Sequence, residues 1–411
     1  MATDVPTGAD DEEDLRHFLA TERATTRPGG ANGRRSKAGR SADRSAGKGQ
    51  PRWPTPPILV RQIRNGVVES VHRGDVVEVD ASGRLVRSIG DVDRLVTLRS
   101  TVKPFGAVAL IEAGGAEEFD LGPAEIATLA SSHSGEDVHV RTLQAVYRRA
   151  GISQSALGCG TEGMPLDALT AARLARDGER PSAIRHMCSG QHSVFLLLSK
   201  MRGWPLDEYW EVEHPAHVAY RETVARAYAV PVDRLRTAVD GCGVLTYAFP
   251  LREVARAYAF LADPEAVAAG DARASLAPHL RRIRDAMLAH PEMVGGTRDR
   301  LDTALMKAAS GRVVAKGGME ALRGIGILPG ARTTGTAAEA TGIALKIEDG
   351  DGYERATWAA SVEAVRQAGV LDGQPMRLLA RYHRPPTLDP HGRVAAEAVP
   401  EFELAPVGER L

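Results

Sequence analysis

Hydrophobic positions begin to recur in a pattern at Ile58. Over 67–79 and 85–89 apolar and polar residues alternate, which is the period of a half-buried strand. Asp80-Ala81-Ser82-Gly83 supplies the turn between the two runs. A helical period then takes over. It predicts helices near 105–113, 124–131, 138–150, 166–176, 193–202, 215–228, 252–263, 275–289, 299–309 and 355–368. Short strand-like runs return at 311–315, 324–328 and 342–347, the last closed by Asp349-Gly350-Asp351-Gly352. Strands at both ends with helices between them predict an α+β fold with a mostly antiparallel sheet. No internal repeat or interior linker breaks the pattern, so 53–411 reads as one catalytic domain.

Residues 1–52 carry no such pattern. Asp10 to Asp14 is an acidic cluster, and from Arg27 to Arg52 the chain is mostly Gly, Ser, Ala and Arg. A segment with so little apolar surface cannot offset its ordering entropy, so a disordered tail is expected. Arg34-Arg35 lacks the hydrophobic stretch that an export signal requires.

Composition narrows the function classes. The 411 residues hold 52 Lys plus Arg against 53 Asp plus Glu, a net charge of -1, with none of the basic excess of a nucleic-acid or membrane-surface protein. Three cysteines exclude a disulfide-stapled scaffold and suggest a reducing compartment. No run approaches the length of a membrane span; the longest is Val194 to Leu198. A cytoplasmic protein acting on a small molecule is the expectation.

Chemistry concentrates in four places. In Arg99-Ser100-Thr101-Val102-Lys103-Pro104, Ser100 and Lys103 stand three apart at the start of a predicted helix, so they share a face. Ser100 is expected to cap that helix. A lysine with a lowered pKa can take a serine's proton. Ser131-Ser132-His133-Ser134-Gly135-Glu136 crowds hydroxyls and an imidazole before a glycine, as site loops do. Cys188 opens a helix and Cys242 sits in the tight turn Asp240-Gly241-Cys242-Gly243, where thiols make metal ligands or nucleophiles. Val313-Val314-Ala315-Lys316-Gly317-Gly318 is a strand ending in lysine and two glycines. Only seven of the 52 cationic residues are lysines, so Lys103 and Lys316 stand where a titratable amine is needed.

Together these motifs resemble the asparaginase II family, the class 3 asparaginases with paired Ser–Lys catalysis. The likeness runs from Val67-Val68-Glu69-Ser70-Val71-His72-Arg73-Gly74 through the four places above. It continues in His290-Pro291-Glu292-Met293-Val294, Ile347-Glu348-Asp349-Gly350-Asp351 and Tyr382-His383-Arg384. The resemblance implies a fold like that of serine β-lactamases and penicillin-binding proteins, which fits Ser-x-x-Lys on a helix and Lys-Gly-Gly on a strand. It implies hydrolysis of L-asparagine to L-aspartate and ammonia, and a homodimer. Ser100 with Lys103 and Ser132 with Lys316 match the two catalytic pairs. Arg99, His133, Asp240 and Gly317 match the substrate-binding surroundings, Arg99 for the carboxylate and Asp240 for the α-ammonium. Cys188 and Cys242 match two ligands of a zinc ion.

Two departures stand out. Gln191 replaces the lysine expected as third zinc ligand, and Met187 replaces the asparagine common before the first cysteine. An amide oxygen is a harder and weaker zinc donor than an amine, so weak zinc binding is expected, and no organic cofactor. The expected mechanism is acylation of a serine, with Ser132 and its base Lys316 slightly favoured. Backbone N–H groups at the helix start or the glycine turns would hold the oxyanion. Another serine amidase on the same scaffold and a non-catalytic amino-acid binder are the alternatives.

Overall fold

Two strands, β1 (Ile58–Arg64) and β2 (Val67–Asp80), open the structure as an antiparallel hairpin. This computed structural model describes residues 54–161, 166–333, 338–352 and 354–406; the tail expected over 1–52 lies outside them. Strand β2 is long because it serves three neighbours, pairing over Val76–Val79 also with β3 (Leu85–Ile89). Its first half pairs with β1, and from Gly74 onward it pairs with a strand from late in the chain. Its burial follows the change: the first half is largely exposed and the second fully buried. The turn into β3 (Leu85–Ile89) falls at the expected place, where the Asp80 carboxylate accepts from the N–H groups of Ser82 and Arg84.

The remaining strands are β4 (Leu95–Thr97), β5 (Arg236–Val239), β6 (Leu245–Pro250), β7 (Val313–Gly317), β8 (Leu322–Ile327), β9 (Thr341–Ile347), β10 (Pro386–Leu388), β11 (Val394–Pro400) and β12 (Ala405–Pro406). The main antiparallel sheet runs β10-β11-β1-β2-β9-β8-β7, with β3 bridging β2 and β12; β4-β6-β5 form a small second sheet.

Ten longer helices pack around this frame. They are α1 (Lys103–Glu112), α2 (Pro123–Leu129), α3 (Asp137–Ala150), α4 (Ala168–Arg176), α5 (Ser189–Arg202), α6 (Pro215–Ala227), α7 (Leu251–Ala262), α8 (Ala277–Ala289), α9 (Leu301–Ala308) and α10 (Arg355–Gln367). Pro104, Pro123, Pro215 and Pro278 each fall in a first turn, where a missing N–H is harmless. Helix α7 lies directly on the sheet. A Cβ at Gly324 would come within 2.0 Å of the Tyr258 ring, and one at Gly342 within 1.8 Å of the Ala255 carbonyl. Glycines in β8 and β9 therefore set the depth of this helix. One apolar core, built on the β-branched and leucine positions of β2, β7, β8 and β9, runs under α1, α7 and α10.

The α+β class with an antiparallel sheet is as expected, and the Ser-x-x-Lys helix stands beside the Lys-Gly strand as in a serine β-lactamase-like fold. Periodicity did not reveal β4, β5, β10 or β11. β4, β5 and β10 are short or exposed, and the buried positions of β11, Ala396 and Ala398, are small alanines that give little hydrophobic signal. No helix among the described residues is long and apolar enough to cross a membrane.

Candidate active site

Arg99 has φ +46°, a left-handed conformation that is uncommon outside glycine. The chain turns sharply there and enters a 3₁₀ turn (Arg99–Val102) that runs into α1. Ser100 is consequently not the helix cap: Val102 occupies that position without a side-chain bond. Ser100 Oγ faces a small cavity and makes no hydrogen bond among the described residues.

Lys103 is 1% exposed and Lys316 0%. Both reach the same hydroxyl. Lys103 Nζ lies 3.1 Å from Ser132 Oγ, and Lys316 Nζ lies 2.8 Å from it. The spacing that put Ser100 and Lys103 on one face therefore did not make them a hydrogen-bonded pair; Lys103 crosses to the other serine. Its further neighbours, the Met187 carbonyl at 3.5 Å and Cys188 Sγ at 3.3 Å, are acceptors. Lys316 also donates to the Gly317 carbonyl at 2.6 Å. Burial holds the Lys316 amine well below its ordinary pKa. The nearby charges of Lys103, Arg300 and Arg323 reinforce this, against the pull of Asp302.

Three residues that sequence reasoning missed complete the site. Asp302, in the first turn of α9, accepts from the Gly317 N–H at 3.0 Å and pairs with the buried Arg323 of β8. Burial pushes its carboxyl up, but Arg323, Lys316 and the Gly317 N–H outweigh this and hold it ionised. Arg300 donates from Nη2 to the Ser132 carbonyl at 2.8 Å. An Arg-x-Asp at a helix start was the available signal, since acidic residues favour first turns. The cavity enclosed by these groups, about 40 Å³, is lined by Ser100, Ser132, Met187, Arg300, Gly317 and Trp358 among others.

Other expected residues fall differently. His133 is fully buried and turned away from the cavity. One ring nitrogen contacts Ser189 Oγ at 2.8 Å, the other accepts from the Gly135 N–H, and the ring stacks on His139 at 4.6 Å. Burial and the adjacent His139 keep its pKa well below the usual histidine value. These contacts tie the loop that carries Ser132 to Ser189. Arg99 and Asp240 do meet, and they meet each other: Arg99 Nε lies 2.8 Å from Asp240 Oδ1. Neither lines the cavity. The backbone N–H groups of Ser132, Gly317 and Gly318 are committed to Val294 O, Asp302 and Leu322 O. The glycine turn thus offers no free oxyanion donor from these N–H groups.

Cys188 and Cys242 are buried side by side. A hydrogen bond from the Cys242 thiol, with help from Lys103 and His186, draws the Cys188 pKa well down against burial; the same bond pushes Cys242 up. Gln191, in the third-ligand position, donates from Nε2 to the Tyr220 hydroxyl at 3.1 Å. Among the described residues no group of three His, Cys, Asp or Glu side chains is arranged to hold a metal. Two thiols and a glutamine whose amide nitrogen is held by Tyr220 offer a weaker zinc ligand set than two thiols and an amine.

The fold and this convergence of amines on a serine describe an amidohydrolase. The chain belongs to the L-asparaginase II family, whose pattern it matches over residues 60–400. No curated protein matches it. Among solved structures it is similar to the Bacillus subtilis glutaminase YbgJ in covalent complex with 5-oxo-L-norleucine, at 12% identity and TM-score 0.34, covering 72% of this chain and 88% of that one. It is also similar to a Bacillus glutaminase in 4.3 M NaCl, at 13% identity and TM-score 0.36, covering 73% and 92%.

Proposed function

We propose that the protein hydrolyses the side-chain amide of L-asparagine to L-aspartate and ammonia, with Ser132 as nucleophile and Lys316 as its base. The observation that carries this reading is the position of Ser132 Oγ between two buried lysine amines, at 2.8 and 3.1 Å. A neutral Lys316 accepts the hydroxyl proton as Oγ attacks the carboxamide carbon. Lys103, surrounded by acceptors, is set to donate. With the N–H groups of Ser132, Gly317 and Gly318 committed, Lys103 Nζ and the Ser100 hydroxyl are side-chain donors offered to the tetrahedral oxygen. The Lys316 ammonium returns its proton to the departing ammonia. Water then enters, loses a proton to Lys316 and attacks the Ser132 ester, releasing aspartate and restoring the hydroxyl. No step passes through zinc.

The test is ammonia release by purified protein from L-asparagine, L-glutamine and simple amides, with and without added zinc. Turnover of glutamine or another amide in preference to asparagine would replace the substrate and keep the chemistry. Binding of asparagine in a calorimeter with no ammonia from any amide would replace the enzyme with a binder.

A further inference from the structure

We propose that Arg300, rather than Arg99, is the cation that binds the substrate's carboxylate. The inference rests on the amidohydrolase reading of the same cleft. Arg300 lines the cavity together with both serines, whereas Arg99 does not. Arg99 is bonded to Asp240, so a carboxylate approaching it has to displace another carboxylate. Arg300 makes no ion pair among the described residues. Three carboxylates line the cavity with it: Asp302 is engaged with Arg323 and the Gly317 N–H, Asp299 with Arg381, and Glu354 makes no ion pair with Arg300. The single hydrogen bond of Arg300, to the Ser132 carbonyl at 2.8 Å, uses one of its five N–H donors and fixes the guanidinium beside the nucleophile. The remaining donors form the fork that matches a carboxylate.

The segment leading to Arg300 is built to hold it still. The Glu136 carboxylate accepts from the Thr297 N–H at 2.7 Å, Thr297 Oγ1 at 2.5 Å and Ser134 Oγ at 2.7 Å, and it pairs with Arg298 at 3.0 Å. Arg298 is also clasped by Asp167. One buried carboxylate therefore ties the loop before Arg300 to the loop after Ser132, which fixes the distance between guanidinium and nucleophile.

Two variants test this. Arg300→Gln keeps an N–H for the Ser132 carbonyl and loses the charge; Arg300→Lys keeps the charge and loses the fork. With both confirmed folded by thermal melting, R300Q should raise KM for asparagine about 10- to 100-fold, the range for a lost charge-assisted hydrogen bond. The rise in KM should exceed the fall in kcat that losing a charge near Lys316 brings, and R300K should fall between R300Q and wild type. Calorimetric affinity for L-aspartate should fall in parallel. A KM within threefold of wild type in R300Q, or a fall in kcat at constant KM, overturns the assignment. If wild type releases ammonia from no amide tested, the amidase reading fails and the aspartate titration decides alone. Binding lost in R300Q sustains the role of Arg300, and equal binding, or none by wild type, overturns it.

Discussion

Replacing Lys316 by methionine should inactivate the protein and stabilise it. The activity loss follows from removing the base 2.8 Å from Ser132 Oγ, and is expected at about 10²- to 10⁴-fold in kcat. The stability effect has two parts. The variant loses the hydrogen bonds to Ser132 Oγ and the Gly317 carbonyl, each worth about 1 kcal/mol net. Against this, wild type must strip a proton from Lys316 to bury it, because its folded pKa lies well below the ordinary lysine value. Between those two pKa values the unfolded chain holds a proton that the folded chain does not. Folding is penalised there by about 1.4 kcal/mol for each unit separating pH from the unfolded pKa, roughly 10.4. The sign is definite: the penalty is greatest at and below the folded pKa and disappears as pH rises past the unfolded one. Urea unfolding followed by tryptophan fluorescence between pH 7 and 10 should show the K316M advantage shrinking by about 1.4 kcal/mol per pH unit toward alkaline pH. Parallel stability curves for the two proteins would mean that Lys316 keeps its proton when folded. A protonated lysine cannot accept one from serine, and the proposed chemistry would fall with that result.

Ser132→Ala should reduce kcat by about three or more orders of magnitude, and quenched turnover should show an acyl adduct on the peptide containing Ser132 and not on that containing Ser100. Glu136→Gln should destabilise by about 1–3 kcal/mol, because its buried carboxylate ties the 297–298 segment to Ser134, and should raise KM for asparagine more than it lowers kcat. Elemental analysis of purified protein should find zinc well below one equivalent, and Gln191→Lys should raise it; tight stoichiometric zinc in wild type would contradict the donor-set argument.

Much of the frame was legible because its elements carry strong periods. The helix expected at 138–150 is observed as Asp137–Ala150, and the strand expected at 342–347 as Thr341–Ile347. Lysine scarcity was informative about the site. Lys103 and Lys316 are the two fully buried lysines among the described residues, while Lys200 and Lys307 are exposed. Pairing was less legible. Spacing fixes which face a side chain leaves from, but a lysine's four-carbon stem lets its amine choose a partner across space, and Lys103 bonds to a residue 29 positions away. His133 was expected among the substrate-binding residues. Its neighbours in space, Ser189 and His139, come from other helices and could not be read locally. Arg300, Asp302 and Arg323 escaped notice for the complementary reason. In a chain where arginine supplies most cations, one more arginine carries little signal until the fold sets it beside a serine.

The electrostatics of Lys316 depend on Arg323. A carboxylate near a buried lysine ordinarily raises its pKa and keeps it protonated, and Asp302 acts in that direction here. The same Asp302 is pinned by Arg323 on one oxygen and by the Gly317 N–H on the other. Arg323 supplies a cation that opposes a second charge on Lys316. It also fixes the carboxylate that holds the Gly317 N–H, and with it the end of β7 from which Lys316 projects. Burial does most to make the amine a base; Arg323 reinforces it and is also part of what aims it.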